Sequence, residues 1–105
     1  MEKFYVLCEG RHKMPINSGS IFNTKIDPID IQGIEKIAEN FVYTFQNINN
    51  TPASHRRVML NVYITGLTIA CVAVIKACES FDQPLTLWHY DRESNNYYPQ
   101  KVISE

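Results

Sequence analysis

Long apolar runs, basic blocks and metal-ligand spacings are all missing from this sequence. The longest apolar stretch, Ile69 to Ile75, falls far short of the about 20 residues that a membrane-crossing helix needs. The start, MEKFYVLCEG, has no basic stretch followed by a long apolar one, so no signal peptide is read there and a cytoplasmic location is expected. No Gly-x-x-x-x-Gly-Lys segment occurs, which excludes nucleotide hydrolysis of the P-loop kind. No Gly-x-Ser-x-Gly elbow occurs either, and with it goes the commonest nucleophilic-serine arrangement. His12, His55 and His89 are far apart, without a His-x-x-x-His or Cys-x-x-Cys spacing, so neither a metal site nor a cofactor is expected.

Cysteine is scarce. Cys8, Cys71 and Cys78 are an odd, widely spaced set, not a disulfide framework. Cys71 and Cys78 fall on similar faces of an expected helix, about 10 Å apart along its axis, which is too far for a bridge. They read as small buried hydrophobes. Charge is balanced: ten Lys and Arg against eleven Asp and Glu, scattered along the chain, give a net charge of −1. A binder of long nucleic acid would carry a basic face. A small nucleotide needs only one or two cations, and the balance leaves that open.

What is present suits one packed α/β domain over residues 1–105. The composition is 45% hydrophobic and 20% charged, enough for a core and unlike a disordered chain. Phe4 to Cys8 reads as a first strand. Arg11 to Asp30 is a long polar loop with one apolar island, Ile21-Phe22. Asp30 is a helix N-cap, after which Ile34, Ile37, Ala38, Phe41, Phe45 and Ile48 recur at helical spacing. Asn47, Asn49, Asn50 and Pro52 end that helix, and His55, Arg56 and Arg57 follow on the surface. Val58 to Ile64 is the second strand, with Val58, Leu60, Val62 and Ile64 on one side and Met59, Asn61 and Tyr63 on the other.

Thr65-Gly66-Leu67-Thr68 then leads into a second helix to about Ser80. It is apolar nearly all round, so it is buried on more than one side. In so small a chain, one of those sides is expected to meet another subunit. Leu85 to Tyr90 is a third strand, parallel to the second because a helix joins them. A polar turn follows, and Tyr97 to Ile103 returns as a hairpin strand, where Pro99 fits only an edge or bulged position. The expected fold is α/β: a small mixed sheet of about four strands with a parallel strand–TGLT–helix–strand unit, a C-terminal hairpin and two main helices. The direction of the first strand is left open.

Three groups of residues are candidates for chemistry. The TGLT turn opens a helix beyond the carboxyl end of a strand, where open α/β sheets bind ligands. Free N–H groups and about half a positive charge gather there. Gly66 permits close approach, and Thr65 and Thr68 add hydroxyls, a set that suits phosphate. The plainer reading is that one of the threonines caps the helix. The second group closes the third strand, Trp88-His89-Tyr90-Asp91-Arg92, where rings can stack on a base and Arg92 can fork onto a phosphate. An ordinary hairpin, with Trp88 packed in the core and Arg92 paired to Asp91 or Glu93, is the alternative. The third is Arg11-His12, which a parallel first strand would bring to the same edge. With no clear nucleophile, no metal set and no paired carboxylates, an enzyme here would rest on His89 or His12 as acid–base. No catalytic residue is assigned.

Residues 60–103, LNVYITGLTIACVAVIKACESFDQPLTLWHYDRESNNYYPQKVI, resemble phage anti-Thoeris proteins that sequester cyclic ADP-ribose signals. In layout the stretch is also similar to small CRISPR-associated ring nucleases. Residues 1–59 add only the segments EGRH and GSIF to either likeness. The resemblance implies a homo-oligomer, assembled through helix 68–80, that holds a cyclic nucleotide immune signal inside an infected bacterial host. Thr65, Gly66 and Thr68 would cradle phosphate, Arg11 and Arg92 would neutralise it, and Phe22, Tyr63 or Tyr90 would stack on the base, beside His12 and His89. Sequestration without cleavage is the leading expectation. A metal-independent ring nuclease and an assembly protein without a small ligand are the alternatives.

Overall fold

The structure, a computed structural model, describes residues 2–8, 19–22, 26–49 and 57–105. Seven elements follow in order: β1 (Glu2–Cys8), β2 (Ser20–Phe22), α1 (Ile31–Asn49), β3 (Met59–Tyr63), α2 (Thr68–Ser80), β4 (Leu85–Asp91) and β5 (Asn96–Ile103). The strands form one five-stranded sheet in the order β2-β1-β3-β4-β5. The first four run parallel, and β5 is antiparallel to β4. The mixed α/β sheet with two helices and a C-terminal hairpin is as expected. The strand beyond the expected four is β2, which occupies the apolar island read as part of a loop. Three residues are too short for period-two alternation to show, but Ile21 and Phe22 are buried and pair the segment to β1.

The direction of β1 is now fixed. It is parallel to β3, with Phe4 opposite Asn61 and Val6 opposite Tyr63. The carboxyl ends of β1, β3 and β4 therefore share one edge of the sheet.

Asp30 caps α1 as its side chain predicts. Its carboxylate accepts the Gly33 N–H at 3.1 Å and its carbonyl accepts the Ile34 N–H at 3.0 Å. Gly33, an odd residue for a first helical turn, is explained by the same cap: a Cβ there would fall on the Asp30 carboxylate. The buried stripe of α1 is Ile34, Ala38, Val42 and Phe45. Ile37 and Ile48, expected in that stripe, are instead 41% and 70% exposed. The helix rotates so that Val42 takes the inner position.

Both helices lie on one face of the sheet and pack against each other there. The core joins Leu7, Leu60, Val62, Leu85 and Leu87 from the sheet to Ile34, Val42, Ala70, Val74 and Cys78 from the helices. Gln46 of α1 ties the lower end of this layer, donating to the Phe81 carbonyl at 3.0 Å and to Gln83 Oε1 at 3.2 Å. Gln83 is wholly buried and donates in turn to the carbonyls of Val58 and Pro84 at 2.8 and 2.9 Å. No described helix is long and apolar enough to cross a membrane.

The opposite face carries no described helix, and aromatic side chains cover it. Phe4, Tyr63 and Trp88 form a triangle of ring contacts with centroids 5.9–6.2 Å apart, and Tyr97 meets Tyr63 edge-on at 5.0 Å. Beneath them Asn61 is fully buried. Its Oδ1 accepts the Trp88 indole N–H at 2.9 Å, and its Nδ2 donates to the Lys3 carbonyl at 3.3 Å. Pro99 sits on the edge strand β5, opposite Trp88, as its missing N–H requires.

Candidate functional site

The shared carboxyl edge is built where chain direction changes. From β1 the sheet is extended outward to β2, then α1 carries the chain back past β1 to β3. Such a switch point leaves room between neighbouring strand ends, where ligands of open α/β sheets bind. Here the gap between β1 and β3 is closed by a side chain. The Thr65 hydroxyl accepts the Cys8 N–H at 2.9 Å and donates to the Cys8 carbonyl at 2.8 Å. Thr65 is 3% exposed. It extends the β1–β3 ladder and cannot also cradle a phosphate.

The rest of the turn faces outward. Gly66 is exposed with φ 74°, a left-handed conformation that suits glycine. Leu67 is the N-cap of α2 in an extended conformation, and no side chain among the described residues caps the helix. The capping role considered for Thr68 is therefore not taken up. Thr68 is the first helical residue and is exposed. The Cys71 N–H is the first to bond within the helix, to the Leu67 carbonyl at 3.2 Å. The N–H groups before it belong to the set a helix leaves for water, a side chain or an anion.

β4 stands beside this turn: the Ile64 N–H donates to the Trp88 carbonyl at 3.0 Å. Strand alternation then sends the residues beyond Trp88 to different sides. Tyr90, 40% exposed, lies against Tyr97, and its hydroxyl donates to Asn95 Oδ1. His89 lies on the other side, with Nε2 2.8 Å from Gln100 Oε1 and its ring against Tyr98. Arg92 is exposed in the β4–β5 turn. Asp91, considered as its partner, instead accepts the Ser94 N–H at 3.2 Å and the Ser94 hydroxyl at 2.7 Å. Those two bonds hold its carboxyl below the usual aspartate range.

Of the ten residues expected at a ligand, Gly66, Thr68, Tyr90 and Arg92 are exposed at or near this edge, with Tyr90 on the face of the sheet opposite α2. Phe22 is fully buried in the core, with no ring face left for a base. Tyr63 is 4% exposed beneath its aromatic neighbours, and burial together with the nearby Tyr97 pushes its phenol up. Thr65 is committed to Cys8, and His89 to Gln100. Arg11 and His12 lie outside the described residues, as do His55, Arg56, Asn50 and Pro52. Trp88 takes the packing role: it donates to Asn61 and is half-buried. Among the described residues no three His, Cys, Asp or Glu side chains come together to hold a metal ion.

Compared with models of known protein families, with curated proteins and with solved structures, the chain matches none.

The apolar character of α2, which suggested a second subunit against it, is met within one chain. Ala70, Ala73, Val74, Ala77 and Cys78 are buried against the sheet and α1. The outward stripe is Thr68, Val72, Lys76 and Glu79. Val72 is its one large apolar residue, and Lys76 pairs with Glu35 of α1.

Proposed function

We propose that this chain binds a small anionic nucleotide at the carboxyl edge of its sheet and holds it without cleaving it. The observation that carries this reading is the start of α2: a helix without a side-chain cap, entered through an exposed left-handed glycine, next to the end of β4. A phosphate seated there accepts the first N–H groups of α2 and meets the positive end of the helix. Arg92, exposed in the β4–β5 turn, supplies a cation, and Tyr90, exposed on the other face of β4, supplies a ring to a base that reaches round the edge of the sheet. Holding is favoured over cutting because His89, the acid–base candidate among the described residues, is engaged with Gln100. The ligand class is a cyclic nucleotide immune signal, of the cyclic ADP-ribose or cyclic oligonucleotide type. Its sequestration would counter bacterial anti-phage defence.

The test is thermal unfolding of the chain with a panel of cyclic ADP-ribose isomers and cyclic di- and oligonucleotides, followed by mass analysis of the ligand recovered after denaturation. Tight binding to the folded state must raise its stability. A shift with intact ligand recovered supports sequestration. Linear product points to a ring nuclease. No shift with any member removes the nucleotide reading and leaves an assembly protein.

A further inference from the structure

We propose that Pro99 is a guard residue: it closes the outer edge of β5 to strand addition, so that the sheet ends within one chain. The described sheet has an edge strand at each end, β2 and β5. β2 has three residues, and so short an edge is a poor template for a further strand. β5 has eight residues and is the longest of the described strands. Tyr97 and Tyr98 at one end and Val102 and Ile103 at the other are strand formers. Pro99 is the one breaker among them. Among the described residues no strand pairs beyond β5, and Tyr98, Pro99, Gln100 and Lys101 are exposed. Without the proline, an edge of this length and composition is a ready template for another strand.

The phase of the hydrogen bonds shows which way Pro99 points. The carbonyls of Pro84 and Trp88 accept the N–H groups of Leu60 and Ile64, each at 3.0 Å. Trp88 thus turns its backbone groups toward β3 and away from β5. Pro99 stands opposite Trp88 in the antiparallel pair, so the two form a pair without mutual hydrogen bonds. The Pro99 nitrogen and carbonyl therefore lie on the outer side of β5. The β4–β5 ladder loses nothing by the missing N–H. The donor is absent on the one side where an added strand has to bond.

Two copies joined through β5 would pair antiparallel about a two-fold axis. With that axis at Pro99, both bonds at the centre of the new ladder are absent, and a pyrrolidine ring stands where each N–H would be. Sliding the pair by two residues turns each ring against another stretch of backbone and removes neither. A strand from any other protein meets the same ring. Lys101, exposed two residues further on, adds a charge of the kind that discourages pairing at an edge.

The experiment is sedimentation velocity on the full chain, without nucleotide, from micromolar to near-millimolar concentration. It compares the parent with Pro99→Thr and Pro99→Ala. Both substitutions restore the N–H, and threonine also favours a strand. Circular dichroism checks the fold, which a change at this exposed position leaves intact. Pro99→Thr is expected to self-associate about ten-fold more tightly than the parent, or more, and Pro99→Ala to move in the same direction by less. Amide exchange followed by NMR is expected to find the restored N–H protected where the variant is associated and exchanging fast where it is dilute. If both variants sediment as the parent does at every concentration, the proposal is overturned. Association in which the restored N–H exchanges as fast as in the dilute chain overturns it too, because the contact then lies on another surface.

Discussion

The hydroxyl of Thr65 lies between the N–H and the C=O of Cys8, 2.9 and 2.8 Å from them. One side chain thus does for β1 what a further residue of β3 would do in a longer ladder. Replacing it with valine keeps the shape and removes both bonds, leaving two part-buried backbone groups without this partner. Thr65→Val is expected to lower unfolding stability in urea by about 2 kcal/mol. Thr65→Ser, which keeps the hydroxyl, should lose under about 1 kcal/mol. Equal losses in the two variants would show that the methyl group and not the hydroxyl matters there.

Asn61 and Trp88 make the matching relationship on the aromatic face. The indole N–H is the donor to Asn61 Oδ1, and Asn61 is wholly buried. Trp88→Phe keeps a ring but orphans that oxygen, at an expected cost of about 2–4 kcal/mol from the lost bond and lost volume together. Combining it with Asn61→Leu should recover part of that cost, because the Oδ1 orphaned by the missing indole is removed, while the Lys3 carbonyl loses its Asn61 donor. A double-mutant cycle in urea measures the coupling. A coupling energy near zero would mean that the indole N–H contributes nothing.

Much of the architecture was legible because its signals are local. The alternation of Val58 to Ile64 placed Leu60 and Val62 inward and Met59 and Tyr63 on the other face, as the register shows. Asp30 announced α1, and Pro99 announced an edge. What was not legible depended on distant partners. Ser20–Phe22 is a strand because β1 is there to pair with it. Gln83 looks like a turn residue and is fully buried, because Gln46, thirty-seven residues earlier, meets it. The threonine-and-glycine turn pointed to the carboxyl edge of the sheet. It could not say which hydroxyl was free, since Thr65 is claimed by Cys8, fifty-seven residues away. Likewise the all-apolar helix α2 asked for a second neighbour, and α1 supplied it.

The buried thiols give a pH dependence whose sign is fixed. Burial pushes Cys78 up to about 12, and Cys71 is raised by the same cause. In the unfolded chain these thiols ionise near their ordinary value, so above roughly pH 9 the unfolded state releases protons that the folded state keeps. Stability therefore falls as pH rises from there toward 12, by up to about 1.4 kcal/mol per pH unit for each such group. The raised phenols of Tyr63 and Tyr97 act in the same direction at higher pH. Cys78→Ala should be less stable at neutral pH, through the small cavity it leaves, yet should show a shallower loss between pH 9 and 10. Urea titrations at a series of pH values test this. An unchanged slope in the variant would assign the alkaline loss elsewhere.

The start of α2 separates ligand binding from folding in one substitution. Thr68 is the exposed first residue of a helix that lacks a side-chain cap, so Thr68→Glu puts a carboxylate at the positive end of the helix. That interaction should stabilise the free protein by about 0.3–1 kcal/mol. The same carboxylate competes with a phosphate for the same N–H groups and repels it. The variant should therefore melt higher than the parent alone and show little or no shift with the nucleotide that shifts the parent. Gly66→Ala should do the reverse to the fold, costing about 1 kcal/mol because alanine resists φ 74°. If Thr68→Glu binds the nucleotide as tightly as the parent does, the phosphate is not at this helix, and the ligand must be sought at another part of the edge.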